Sequence, residues 1–274
     1  MNVPYDLAAF AFGVFVGVIG TMVGVGGGFL IVPVAALLQP GWSARTITAY
    51  SLAVVCANAC SGTVAYLRQR RVDLRSAGIF AAAALPGVFI GVFGSDHIER
   101  KSFDVLFGVL LLAMAGFLAL APDRRRGERS GGEQRTLVDR EGNEYRWSFS
   151  LRLGLIGSVV VGIISSLFGI GGGPIQVPFL ISLLNYPEHV ATATSHAVLA
   201  ITSLVAALVH LRQGDYRNDG IVTLATAVGA LAGAPLGARI SRYIPGRVLV
   251  RILAGMLAFI AIRLIGEHVR DARK

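Results

Sequence analysis

Formal charge is what this chain most lacks. Its 274 residues include 25 Lys and Arg and 16 Asp and Glu, 15% in all, where an ordinary soluble domain carries about 25%. Even that stock is uneven, since 13 of these residues fall within 123–146 and only 28 are left for the other 250 positions. A soluble surface cannot be covered at that density. Cysteine is nearly absent too: Cys56 and Cys60 lie four apart on one face of an apolar stretch, with no pairing geometry across a helix and too few ligands for a metal, so they read as small packing residues. Lysine contributes two of the 25 basic residues, and the arginines sit between apolar runs rather than in a patch interleaved with aromatics. The net charge of +9 therefore does not argue for a nucleic-acid partner. The N-terminus lacks the basic region of a cleavable signal, so its apolar run is expected to stay in the mature protein.

What is present is long charge-free sequence. Such runs extend over 7–44, 46–67, 76–95, 105–122, 153–187, 189–211 and 220–238, and an eighth segment, 248–265, carries Arg251 and Arg263 near its ends, within snorkelling reach of headgroups. About 20 apolar residues suffice for a helix to cross the hydrocarbon layer. A barrel would need alternating segments of about ten residues, and these runs are continuous and rich in Leu, Ala and Gly. The expected fold is all-α, a polytopic transmembrane helical protein with about eight to ten membrane segments, embedded in the lipid bilayer.

The chain also reads as two copies of one unit. The stretch 20–33 overlies 165–178 without a gap, pairing Gly24, Gly26, Gly27, Gly28 and Pro33 with Gly169, Gly171, Gly172, Gly173 and Pro178. Further on, Thr48-Ala49-Tyr50-Ser51 answers to Thr192-Ala193-Thr194-Ser195, and Tyr66-Leu67-Arg68-Gln69 to His210-Leu211-Arg212-Gln213. Two homologous transmembrane repeats, 1–121 and 151–274, are thus expected on either side of a charged linker, 122–150. Within the linker, 136–147 either closes a small hairpin around Gly142-Asn143 or stays a plain connection, and neither reading gives it chemistry.

Arginines set the orientation. Arg68, Arg70, Arg71 and Arg75 lie two spans before Arg124, Arg125, Arg126 and Arg129, so both clusters share a side, which the positive-inside rule makes cytoplasmic. The charge-balanced loop 95–101 then faces outward. Each repeat opens with about 35 apolar residues broken by a glycine triplet and a proline, which interrupt helix. If these runs cross once, the repeats have four spans and are parallel; if they form hairpins, the repeats have five and are inverted. The inverted arrangement is preferred, because related broken helices then meet at one site from opposite sides.

Broken helices inside a membrane are tolerated only when buried in protein or lining a watery cavity, and their N-termini present partial positive charge to anions. The N–H groups of Gly26, Gly27, Gly28, Gly171, Gly172 and Gly173 are expected to form such a cradle without a buried Lys or Arg. Close helix packing is the competing role for these glycines. Thr21, Ser51, Asn58, Gln176, Thr194 and Ser195 are the candidate polar partners, although hydroxyls in lipid often bond only their own helix. His196 is the candidate proton-coupling residue, and His210 a weaker one near a rim. Catalysis has little support. Ser195 and His196, as helix neighbours, point about 100° apart, and the Gly-rich stretches lack the Lys-Ser/Thr ending of a nucleotide loop. The chain is therefore expected not to be an enzyme and to use no cofactor or metal.

The motif G-x-G-G-G-x-x-x-V-P, at 24–33 and again at 169–178, followed by the Thr-Ala-x-Ser of each half, resembles the sulfite exporter TauE/SafE family, also called the toluene sulfonate uptake permease family. The resemblance covers nearly the whole chain outside the linker. His210-Leu211-Arg212-Gln213-Gly214 also fits it, whereas the first half departs with Arg70-Arg71. It implies a multi-pass inner-membrane transporter of small sulfur-containing anions such as sulfite or sulfonates, acting as an exporter. A passive anion channel or an uptake permease using the same site is the alternative, and a membrane-embedded enzyme ranks below both. Homo-oligomerisation stays open.

Overall fold

The computed structural model describes residues 3–120, 132–216 and 220–271. Helices α1 (Val3–Val23), α2 (Gly28–Leu38), α3 (Ala44–Arg68), α4 (Leu74–Gly94) and α5 (Arg100–Leu120) precede strands β1 (Glu133–Val138) and β2 (Glu144–Phe149). Then come α6 (Leu151–Phe168), α7 (Gly173–Pro178) with a π-helical turn Phe179–Leu183, α8 (Glu188–Gln213), α9 (Gly220–Ser241) and α10 (Gly246–Asp271). The protein is an all-α polytopic membrane fold. Among the described residues, six helices are long and apolar enough to cross a membrane, α1, α3, α4, α6, α8 and α9, and 28–38 and 173–183 are shorter apolar helices.

Local chemistry sets the helix ends. Ser43, Asp73 and Ser150 cap α3, α4 and α6 by accepting the N–H of Thr46, Ser76 and Leu153, each satisfying one of the donors orphaned at a helix start. After Val23 and after Phe168 the chain passes through glycines of positive φ, 83° at Gly27 and 81° at Gly172, before helix resumes. A side chain at either would be strained, because the left-handed region costs an L-residue roughly 1–2 kcal/mol. Pro174 then occupies the first turn of α7, where its missing N–H is harmless.

Small residues govern the packing of the long helices. A Cβ at Gly229, Gly233 or Gly237 of α9 would lie 2.2–2.3 Å from the backbone of Phe10, Val14 or Val18, so α1 and α9 run parallel in four-residue steps. Gly87 and Gly91 of α4 meet Val159 and Ile163 of α6 in the same manner. Lipid tails are as apolar as the helices, so such close backbone approach is what holds spans together.

The linker segment 133–149 closes an antiparallel hairpin, with Val138 opposite Glu144 and Glu133 opposite Phe149. Trp147 and Phe149 bury one face of it against Phe80, Tyr66 and Tyr186, with Phe149 ring to ring with Phe80 and Tyr186. The hairpin is therefore seated on the helix ends. Arg124, Arg125, Arg126 and Arg129 lie outside the described residues.

Candidate functional site

The two helix breaks cross at the centre of the molecule. Ser51 of α3 donates to the Gly169 carbonyl at 2.6 Å, and Ser195 of α8 donates to the Gly24 carbonyl at 3.3 Å. A Cβ at Gly24 would strike Thr192 and one at Gly169 would strike Thr48, while Gly28 abuts Ile170 and Gly173 abuts Val25. Each break thus touches the other and is pinned by a serine from the opposite half. Gly26 and Gly171 both face Val55, Gly26 also meets Leu199, Gly27 leans on Val16, and Gly172 leans on Val161 and Ser165. Close packing and left-handed backbone geometry are both demanded of this segment.

The backbone donors are unevenly used. Hydrogen bonds that close the loops run from the N–H of Gly24, Val25 and Gly26 to the carbonyls of Thr21 and Gly20, and from Ile170 N–H to Ser165. None of those bonds uses the N–H of Gly27, Gly28, Gly171, Gly172 or Gly173. These are the orphan donors of two half-helices, held away from water.

A polar cluster adjoins the first break. Thr21 Oγ1 donates to Asn58 Oδ1 at 2.7 Å and stands 3.3 Å from His196 Nε2, and all three side chains are fully buried. Gly62 leaves room for the imidazole, for a Cβ there would be 2.6 Å from Nε2. Tyr66 stacks edge-on against His196 with ring centres 5.6 Å apart, and its hydroxyl donates to the Thr21 carbonyl at 2.6 Å. Asn58 Nδ2, His196 Nδ1 and Gln176 Nε2 are buried and have no hydrogen-bond partner among the described residues. Leaving a donor so placed costs about 1–3 kcal/mol.

Other sequence-derived candidates lie elsewhere. Thr194 faces away from the crossing, with its hydroxyl accepting the Asp73 N–H at 3.1 Å. His210 sits 14 residues along α8 from His196, about 21 Å at 1.5 Å per residue. It bonds Asp215 at 2.7 Å in a rim network with Arg45 and Asp96. Cys56 and Cys60 are free thiols, and Cys60 is exposed. Among the described residues, no group of three or more His, Cys, Asp and Glu is placed to hold a metal.

Tyr66 and Arg71 carry much of this site's geometry and escaped the sequence reading. The alignment of halves pairs Tyr66 with His210, which was the available signal for the tyrosine. Arg71 is buried at the end of α3 and reaches Asp139 of the hairpin at 3.5 Å. Burial would push the Asp139 carboxyl up, but hydrogen bonds from Asn143 and the Glu141 N–H, with the Arg71 charge, outweigh it and hold the group below its ordinary range.

A family profile described as sulfite exporter TauE/SafE matches residues 9–264. The chain belongs to that family. It is 32% identical to a probable membrane transporter protein, YunE, of Bacillus subtilis (strain 168), over 94% of this chain and 96% of that one. It is also 25% identical to a probable membrane transporter of Methanocaldococcus jannaschii over 92% of each chain, and 27% identical to one of Haemophilus influenzae over 94% of each. No solved structure matches. This TauE/SafE protein is accordingly a multi-pass membrane transporter, and the relatives' names describe transport rather than catalysis.

Proposed function

We propose that this TauE/SafE transporter exports a small sulfur oxyanion, such as sulfite or a sulfonate, across the bacterial inner membrane. The observation that carries this reading is the surplus of donors at the crossing: the buried side-chain amides of Asn58 and Gln176, and the N–H groups of Gly27, Gly28 and Gly171 to Gly173, have no acceptor among the described residues. An oxyanion supplies acceptors without requiring a buried formal charge in the protein. Ser51 and Ser195 hold the two cradles together, and Thr21 links Asn58 to His196, the proton-coupling candidate of this reading. Gly26, with Val55 and Leu199 packed over it, is covered in this conformation, so the anion reaches the cradle when the breaks separate.

The reading includes two homologous repeats, 1–121 and 151–274, in inverted orientation, with the linker 122–150 in the cytoplasm. Its support is the reciprocal pinning by Ser51 and Ser195 and the meeting of the C-terminal ends of α3 and α9 at one cavity, which four-span parallel repeats would put on opposite sides. Arg68, Arg71, Arg140, Arg239 and Arg242 gather at one end, which marks it as cytoplasmic. Reconstituted protein in liposomes loaded with sulfite, sulfonates, sulfate and phosphate tests the proposal. Saturable efflux of a sulfur anion is expected. Efflux that rises linearly without saturation favours a channel, and no movement of any sulfur anion refutes the reading.

A further inference from the structure

A second polar site lies beyond the glycine crossing, at the arginine-rich end. The end of α3, the end of α9 and the hairpin turn enclose a cavity of about 440 Å³. Five guanidinium groups line it, those of Arg68, Arg71, Arg140, Arg239 and Arg242, against two carboxylates, Asp139 and Glu141. Both carboxylates are engaged. Asp139 binds Arg71 Nη2 at 3.5 Å and accepts from Asn143 and Tyr145, and Glu141 lies 3.7 Å from Arg242 and 3.9 Å from Arg71. Arg68, Arg140 and Arg239 form no ion pair among the described residues, and all three are exposed at the mouth.

The base of this cup is what marks it as built for a ligand. Arg71 is only 4% exposed, yet its Nε and Nη1 have no hydrogen-bond partner among the described residues. Gln69 Oε1, beside it, is also buried and unpartnered, while the Gln69 amide donates to the Ala238 carbonyl at 3.0 Å. A guanidinium with two free N–H directions matches a tetrahedral or pyramidal oxyanion, and a neighbouring free acceptor matches the proton such an anion carries. The volume admits the anion with several waters, each taking about 30 Å³.

We propose that the cup is a docking site for a small, doubly charged or singly protonated oxyanion, held by Arg71 at its base with Gln69 and by Arg68, Arg140 and Arg239 at its rim. Below it the Tyr66 hydroxyl lies 3.3 Å from Ser241 Oγ and bonds the Thr21 carbonyl, so one buried tyrosine separates the cup from the Thr21–Asn58–His196 cluster. As a station on the transport route the cup rests on the function proposed above; as a binding site it does not. The same chemistry is offered by a free anion and by the phosphate of a lipid headgroup.

Calorimetric titration of the purified full chain with inorganic phosphate and with sulfite tests the proposal, in nanodiscs of phosphatidylcholine with and without phosphatidic acid. Arg140→Gln and Arg239→Gln are the variants of choice, since both side chains are exposed and neither holds an ion pair. Each is expected to weaken phosphate binding about 5- to 10-fold, the scale of one charge-assisted contact in a partly solvated site. Arg152→Gln, at the exposed start of α6 and outside the cup, should have no such effect, and thermal unfolding should be unchanged in all three. Phosphate or sulfite binding that is equal in both discs assigns the cup to free anions. Binding present in neutral discs and lost with phosphatidic acid assigns it to headgroups. Absence of phosphate and sulfite binding in both discs, or equal weakening by Arg152→Gln, overturns the proposal. Cup binding with no efflux of sulfur anions defeats only the transport function; intact efflux with no cup binding defeats only this site.

Discussion

Replacing Asn58 by Leu separates a structural role for the buried cluster from a ligand-binding one. The side chains share a branched shape and heavy-atom count, so the change removes polar atoms, although leucine's two methyl groups are bulkier and cost about 1–3 kcal/mol by overpacking. Two structural effects oppose each other. Loss of Oδ1 removes the acceptor 2.7 Å from Thr21 Oγ1, an interaction worth about 1 kcal/mol net, but that hydroxyl has a second acceptor in His196 Nε2, 3.3 Å away. Loss of Nδ2 removes a buried unpartnered donor and relieves about 1–3 kcal/mol. With the overpacking cost included, stability should stay within about 2 kcal/mol of the wild type. Anion binding should fall, because a donor to a charged acceptor is worth about 1.5–3 kcal/mol, or about 10- to 150-fold in affinity. Thermal unfolding in detergent reads the first quantity, and sulfite titration with liposome efflux reads the second. A marked loss of stability with unaltered sulfite affinity would falsify the idea that the free amide waits for a ligand.

Four further outcomes follow from the same geometry. Ser51→Ala should destabilise by about 1 kcal/mol and Ser195→Ala by less, since their bonds to the opposite break measure 2.6 and 3.3 Å; equal losses, or none, in chemical denaturation would contradict the pinning role. Gly62→Ala drives a methyl to within 2.6 Å of the His196 ring and should cost about 1–3 kcal/mol by overpacking while reducing efflux, with the ring's displacement visible by NMR of labelled histidine. Tyr66→Phe removes a buried donor to the Thr21 carbonyl, which should cost about 1 kcal/mol and speed exchange between the arginine cup and the central cluster, read as a higher efflux rate at fixed sulfite gradient. Asp139 titrates below its ordinary value, so its contribution to seating the hairpin is full above about pH 4 and is lost as pH falls through the folded-state value. The protection of the amides of residues 139–143, corrected for the intrinsic slowing of exchange in acid, should therefore fall on acidification in the wild type and show no such step in Asp139→Asn.

The membrane class was legible because it rests on a one-dimensional property, the length of charge-free runs, and each of those runs lies in helix, two of them, 7–44 and 153–187, broken at their glycines. The hairpin at 133–149 was legible only as one of two readings; its decisive contacts, Phe149 with Phe80 and Trp147 with Tyr186, join distant segments. The central cluster was beyond a linear reading for the same reason. Thr21, Asn58 and His196 come from three helices, with separations of 37 and 175 residues along the chain. Thr194 illustrates the opposite error: two residues before His196 on α8, it lies about 200° away around the helix axis and serves the Asp73 N–H. The cup was hidden because its key pair, Arg71 and Asp139, is 68 residues apart and looked in sequence like unremarkable loop charge.

The crossing combines a symmetric frame with an asymmetric lining, and that difference bears on direction. Ser51 and Ser195 exchange carbonyl partners across the two breaks, and Thr48 and Thr192 take matching places against Gly169 and Gly24. The residues that the alignment of halves pairs with Thr21, Asn58 and His196 are Ser166, Thr202 and Leu52. Thr202 returns its hydroxyl to its own helix at Val198, and Leu52 packs with Val88, Val92 and Ala206 in a small apolar cluster. The Thr21–Asn58–His196 side therefore offers a polar cluster, with Tyr66 between it and the arginine cup; the matching positions offer a self-bonded threonine and an aliphatic side chain, and Gln176 Nε2 supplies a free donor of that half. Removing an anion from water is costly unless donors replace its hydration. The polar approach lowers that cost stepwise from the arginine end, whereas the corresponding apolar position leaves it in full. Under the proposed anion function, this lining predicts capture from the arginine-rich side, the direction an exporter requires when that side is the cytoplasm.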